Sequence, residues 1–296
     1  MNKKMIKSSL LALMLVLVVG CVSKTSHDVI RIGSKDFTEN EIVAEIYALA
    51  LEDAGYNVKR QMNISSSVIH KSITSKQIDL YPEYTGTGLI SILKQKTIND
   101  PRKCYEAVKT AYNKKYHMTW LDYAKANDGQ GLFVSKKISE QYGIKKISDL
   151  QKHASELRFA SQGEFDERED GLPVLEKVYG RFDWKSTKVY DNGLKYEVVE
   201  KKQADVAPAY TTEGKLSETN KFVLLEDDKQ CWAPYNLAPV VRNETLKKFP
   251  KIKTALNKVD QTLDTATMTK LNAQVDVQHK EYADVAKTYY ESIKDQ

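Results

Sequence analysis

Between residues 29 and 81 the chain alternates short β-branched runs with longer stretches whose apolar residues return at helical intervals, and this alternation restricts the possible folds more than any other feature. Residues 29–34 read as a strand that ends in a loop. Thr38 and Glu41 have the spacing of a capping box, in which two side chains satisfy backbone N–H groups at a helix start. The helix expected there has an apolar face of Ile42, Val43, Ile46, Leu49 and Ala50 and stops at Gly55. Residues 56–63 follow as a strand, 68–74 as a helix and 77–81 as a strand. Parallel strands need a long crossover, so this order predicts a parallel sheet with helices packed on its faces. The order returns in looser form, with helices at 149–154, 173–179 and 196–202 and strands at 157–160, 186–190 and 204–209. Short strands at 222–225 and 237–241 and polar helices from residue 244 complete the reading. No close internal repeat is visible, and the chain is long enough for two lobes.

Residues 1–20 are of another kind. Lys3, Lys4 and Lys7 precede an apolar run over residues 10–19, the layout of a secretory signal and too short to span a bilayer. Leu17-Val18-Val19-Gly20-Cys21 resembles a bacterial lipobox, so residues 1–20 are expected to be removed, leaving Cys21 lipidated and residues 21–28 as a polar tether. Without the three lysines the formal charge falls from +5 to +2. Proteins that bind nucleic acid concentrate far more positive charge on one face, and no such partner is expected. An apolar fraction of 41% with 29% charged residues suits a globular body, not a set of membrane spans. Cys104 and Cys231 show no CxxC spacing and no histidine cluster; they read as two buried thiols or as one disulfide.

Tyrosine is over-used, with 17 Tyr against 7 Phe and 3 Trp. Half-buried rings on surface helices account for most of them, but a tyrosine also serves wherever an apolar surface with a polar tip must grip a ligand.

Two segments, Gly33-Ser34-Lys35-Asp36-Phe37-Thr38-Glu39-Asn40-Glu41 and Asp79-Leu80-Tyr81-Pro82-Glu83-Tyr84-Thr85-Gly86-Thr87-Gly88, resemble the substrate-binding lipoproteins of ABC transporters that import glycine betaine, choline, carnitine and related osmoprotectants. The likeness continues through Arg168-Glu169-Asp170-Gly171-Leu172-Pro173, residues 205–210 and residues 225–240. It implies an α/β, two-lobed periplasmic-binding-protein fold of type II with ligand in the inter-lobe cleft. Lobe 1 would comprise residues 29–128 plus 237–296 and lobe 2 residues 129–236. It also implies an ABC permease and its ATPase as partners. A trimethylammonium group has no N–H to donate, so it is held by aromatic faces, each contributing about 0.5–2 kcal/mol once water is excluded. By resemblance the cage tyrosines fall on Tyr84, Tyr210 and Tyr235, and the groups for a ligand carboxylate on Lys35, Thr87 and Arg168, with Thr87 opening a helix where backbone N–H groups attract anions.

One segment departs from the family. Where many members have Asn-Asn-Thr-Tyr, with the tyrosine as a further cage wall, this chain has Asn127-Asp128-Gly129-Gln130-Gly131. Gln130 would replace a ring by an amide, and Gln130 or Asp128 would then seek a polar group on the ligand. The expected ligand is therefore a larger trimethylammonium compound with an extra polar function, such as carnitine or ergothioneine; alternatively Tyr123 or Trp232 completes the cage. An adhesive or signalling lipoprotein would share the lipobox without a cage. An enzyme is disfavoured: GxSxG, HExxH and Walker-type loops are absent, the five histidines are scattered, and no cofactor or metal is expected.

Overall fold

A computed structural model of the chain describes residues 28–295; the lipobox, Cys21 and nearly all of the tether lie outside them. The strands are β1 (Val29–Lys35), β2 (Asn57–Ile64), β3 (Leu80–Tyr84), β4 (Met118–Trp120), β5 (Gln130–Ser135), β6 (Arg158–Ser161), β7 (Ser186–Val189), β8 (Val206–Tyr210), β9 (Phe222–Leu224) and β10 (Leu237–Arg242). Among the described residues they form two five-stranded sheets, β2-β1-β3-β10-β4 and β7-β6-β8-β5-β9. In the first, β1, β2 and β3 run parallel and β10 enters antiparallel between β3 and β4. In the second, β6, β7 and β8 run parallel and β5 enters antiparallel between β8 and β9. Helices cover the sheets, which makes the molecule a two-lobed α/β protein.

The first helix, Thr38–Asp53, carries Ile42, Val43, Ile46, Tyr47 and Leu51 into a core shared with β1, β3 and the C-terminal helices Ile252–Asp260 and Tyr282–Ile293. Its start corrects the expected capping box. Phe37 is the N-cap, no side chain caps the helix, and the Thr38 hydroxyl instead donates to Asp276 at 2.7 Å. A tertiary partner has replaced the local one. β3 begins three residues later than expected and is buried throughout. Its Pro82 lies opposite Pro239 of β10, at a facing pair whose missing N–H groups cost that ladder nothing because antiparallel pairing alternates bonded and unbonded positions.

Several elements escaped the sequence reading, β4 and the helix Lys136–Tyr142 among them. The helix Pro101–Tyr116 is opened by the Asp100 side chain, which accepts from the Lys103 N–H, and by Pro101 in the first turn. β5 lies where only a loop was expected, because Gly129 and Gly131 interrupt its apolar pattern. The two cysteines are free and buried, so the disulfide alternative falls away, and burial pushes the Cys104 thiol up to about 11. Among the described residues no helix is long and apolar enough to cross a membrane.

The sheets are joined by two crossing segments that lie side by side. Asn127 forms an antiparallel bridge with Asn236, and the Asn236 amide donates to the carbonyls of Ala124 and Ala126 at 3.2 and 3.4 Å.

Candidate functional site: the inter-lobe cleft

The lobes carry one motif twice, which corrects the expectation that the chain has no close repeat. Asp79-Leu80-Tyr81-Pro82-Glu83-Tyr84-Thr85-Gly86-Thr87-Gly88 leads through β3, and Asp205-Val206-Ala207-Pro208-Ala209-Tyr210-Thr211-Thr212-Glu213-Gly214 leads through β8. Asp, Pro, Tyr, Thr and Gly recur at the same spacing. Each aspartate is clamped by an arginine on the neighbouring parallel strand, Asp79 from β1 and Asp205 from β6. Arg31 donates its backbone N–H, Nε and Nη2 to Asp79 at 2.8–2.9 Å, and Arg158 donates the same three groups to Asp205 at 2.8–2.9 Å. The clamp sets the register of β3 against β1 and of β8 against β6, Ile32 beside Leu80 and Phe159 beside Val206. It thereby fixes how far Tyr84 and Tyr210 reach at the strand tips. The position four residues after each arginine is also equivalent: Lys35 in lobe 1, Gln162 in lobe 2.

The surroundings of the two tyrosines match as well. The Tyr84 N–H donates to Glu83 at 2.8 Å, Glu83 is ion-paired with Lys35, and the Lys35 ammonium stands 5.1 Å from the Tyr84 ring centroid. The Tyr210 N–H donates to Glu213 at 3.2 Å, Glu213 is ion-paired with Lys195, and the Lys195 ammonium stands 5.9 Å from the Tyr210 ring centroid. Tyr235 enters from the second crossing segment. Its ring rests on Gly86, where an added Cβ would come within 2.7 Å of it, so the glycine permits this approach. Its hydroxyl donates to Asp170, which also accepts from Arg168 Nε at 2.8 Å and Nη2 at 2.6 Å. Burial alone would raise the Asp170 carboxyl, but the bonds from Arg168 and Tyr235 hold it below its ordinary range. The Tyr84 hydroxyl donates to Glu39 at 3.0 Å. Burial, followed by the charge of Glu39 or Asp170, pushes the phenols of Tyr84 and Tyr235 well above their usual value, so both remain protonated donors.

Gln130 opens β5 directly opposite Tyr210, so the two side chains share a face of the sheet. With Arg168 they border a cavity of about 250 Å³ that also meets Gln162, Tyr190 and Lys195. Asp128 is half-buried beside the crossing segments: its N–H donates to the Tyr235 carbonyl at 3.0 Å and its carboxylate accepts from the Thr212 hydroxyl at 2.6 Å. Burial, then the charge of Glu39, raises its carboxyl well above the ordinary range, and burial raises Glu39 too. Thr87 begins a single turn of π-type helix, Thr87–Ile92, and is half-buried. Lys35 and Arg168 face carboxylates of the protein, Glu83 and Asp170. Tyr123 packs against Tyr105 at 4.9 Å and Trp232 belongs to the core of the second lobe, so neither borders the cavity. Glu39, Asp170, Gln162 and Lys195 were not singled out from the sequence. The first two lie inside motifs already quoted; Lys195 lies in none.

The lobes touch beside this cleft. Asn272 donates to Glu39 at 2.8 Å and to the Thr212 carbonyl at 2.8 Å, and Gly214 lies against the backbone of Asn272 and Ala273.

Two α/β lobes joined by paired crossing segments, with anchored aromatic rings and buried charges in the cleft between them, define a ligand-capturing protein of the type II periplasmic-binding class. The chain belongs to the family of substrate binding domains of ABC-type glycine betaine transport systems, whose model matches residues 28–292. It is 34% identical over 270 residues to the carnitine transport binding protein OpuCC of Listeria monocytogenes, covering 90% of this chain and 87% of that one. It is 32% identical over 264 residues to the ergothioneine transport permease/ergothioneine binding protein EgtU of Helicobacter pylori, covering 88% of this chain and 47% of the longer relative. The crystal structure of a glycine betaine/carnitine/choline ABC transporter protein superposes with a TM-score of 0.82 at 29% identity, over 89% of this chain and 98% of that one.

Proposed function

We propose that this substrate-binding protein captures a trimethylammonium compound as its lobes close and delivers it to the permease and ATPase of an ABC importer. The observation that carries the reading is that Tyr84 and Tyr210 end equivalent strands of the two lobes while Tyr235 rests on Gly86 of one lobe and bonds Asp170 of the other, with two of the three hydroxyls tied to buried carboxylates. A phenol that donates to a carboxylate is fixed in orientation, and its ring face is richer in electrons for a cation. Glu39 and Asp128 add acidic groups beside Tyr84. Lys35, Thr87 and Arg168 serve the carboxylate of a betaine, and Gln130 and Asp128 a further polar function. The amide of Gln130 in place of an aromatic wall favours carnitine or ergothioneine over glycine betaine or choline. In this reading lobe 1 comprises residues 29–128 and 237–296, lobe 2 comprises residues 129–236, and the chain acts by binding, not by catalysis.

A thermal-shift series with choline, glycine betaine, carnitine and ergothioneine tests the proposal. A true ligand at one hundred times its dissociation constant adds about 2.7 kcal/mol of stability. A flat response to all four would overturn the reading and favour an adhesive or signalling role. We further propose that lipidated Cys21 holds the protein at the outer face of the cell membrane. Cys21→Ser should then move the protein from the membrane fraction to the soluble fraction, and an unchanged distribution would refute the anchor.

A further inference from the structure

The cavity beside Tyr210 is lined by residues of the second lobe, and its polar lining sets the donors of Gln130, Gln162 and Lys195 beside the carboxylate of Asp191. Gln130 is 7% exposed, opens into the cavity and makes no side-chain hydrogen bond. The Gln162 amide nitrogen is buried and also lacks a partner. Lys195 is 4% exposed, uses one N–H on Glu213 and has two more to give. Leaving such groups unpaired in a buried site costs free energy, so each is stabilised by a ligand atom that can accept from it. The internal repeat singles out the same place independently. Gln162 stands in lobe 2 where Lys35 stands in lobe 1, one residue past the buried serine of the clamping strand, Ser34 or Ser161. At about 250 Å³, and about 30 Å³ for a water-sized group, the cavity has room for roughly eight such groups, enough for a five- or six-membered ring beside Tyr190 and Tyr210.

Building on the function proposed above, we propose that Gln130, Gln162 and Lys195 form a second polar subsite that takes a hydrogen-bond-accepting group carried by the ligand in addition to its quaternary nitrogen and carboxylate. Gln162 is the specificity-determining residue, because Lys195 is partly neutralised by Glu213 and Gln130 also borders the tyrosine. Glycine betaine has no such extra group; carnitine has a hydroxyl, and ergothioneine a planar ring bearing an acceptor.

Calorimetric titration of wild type, Gln162→Leu and Gln162→Glu with these three compounds tests the subsite. Losing one bond from a buried donor should weaken carnitine or ergothioneine, whichever binds best, on the order of tenfold in Gln162→Leu. Gln162→Glu, which replaces the donor by an acceptor, should weaken it further, and glycine betaine should change less than about twofold in both. Equal losses for all ligands, or none, would overturn the subsite while leaving the function intact. Failure of the wild type to bind any of the three would overturn the function and the subsite with it. Thermal unfolding of each variant without ligand separates lost binding from lost folding.

Discussion

Asp128 shows how one carboxyl couples ligand chemistry to stability. It lies within the influence of Glu39, and burial together with that neighbour makes ionisation of both groups unfavourable, so the folded protein keeps a proton that the unfolded chain gives up near pH 4. Above that pH the folded state binds more protons than the unfolded state, and its stability declines as pH rises toward the raised pKa. Asp128→Asn keeps the acceptor for the Thr212 hydroxyl and removes the titration. Denaturant unfolding between about pH 4 and 7 should therefore give a shallower decline in the variant, with Glu39, Asp260 and Asp276, also raised by burial, supplying what remains. Parallel curves for the two proteins would contradict this account. At the same scale, the identities of Tyr84, Tyr210 and Tyr235 were open to a reader of the sequence, but their anchors were not. That Tyr84 donates to Glu39 and Tyr235 to Asp170 depends on contacts across 45 and 65 residues of chain.

At the scale of elements, most strands and helices announce themselves by periodicity, and the misses have local causes. β3 is buried on both faces, so it lacks the alternation that marks a half-exposed strand, and its proline argues against a central position until Pro82 is seen opposite Pro239. The glycines around Gln130 hid β5 in the same way. Thr38 and Glu41 had the right spacing for a cap, yet the helix starts one residue earlier, with Phe37 as N-cap, and the Thr38 hydroxyl donates to the tertiary acceptor Asp276. The repeated Asp-x-x-Pro-x-Tyr-Thr-x-x-Gly was in plain view but unremarked, because its two copies share few other residues. The repeated arginine clamp makes the equivalence clear, since both tyrosines emerge at the same height above the same strand.

At the scale of the whole molecule, closure depends on how nearly the lobes can meet. Gly214 of lobe 2 lies so close to the helix Thr265–Asp276 that a Cβ would fall 2.7 Å from the Ala273 nitrogen and the Asn272 carbonyl carbon. Backbone cannot rotate aside as a side chain can. Gly214→Ala should therefore oppose closure by about 1–3 kcal/mol, roughly a 5- to 150-fold loss of ligand affinity, with little effect on unfolding of the free protein. Calorimetry with small-angle scattering checks this: the variant should stay extended at ligand concentrations that compact the wild type, and unchanged affinity would refute it. What the sequence by itself determined is the class of fold and the family, since periodicity and short motifs are local properties of the chain. Only the tertiary structure decided which charges neutralise which, that Lys35 and Lys195 stand over equivalent rings, and that Gln162 and Lys195 share a cavity with Gln130. Most of those pairings join residues tens of positions apart, and folding brings them into the short range at which hydrogen bonds and ion pairs act.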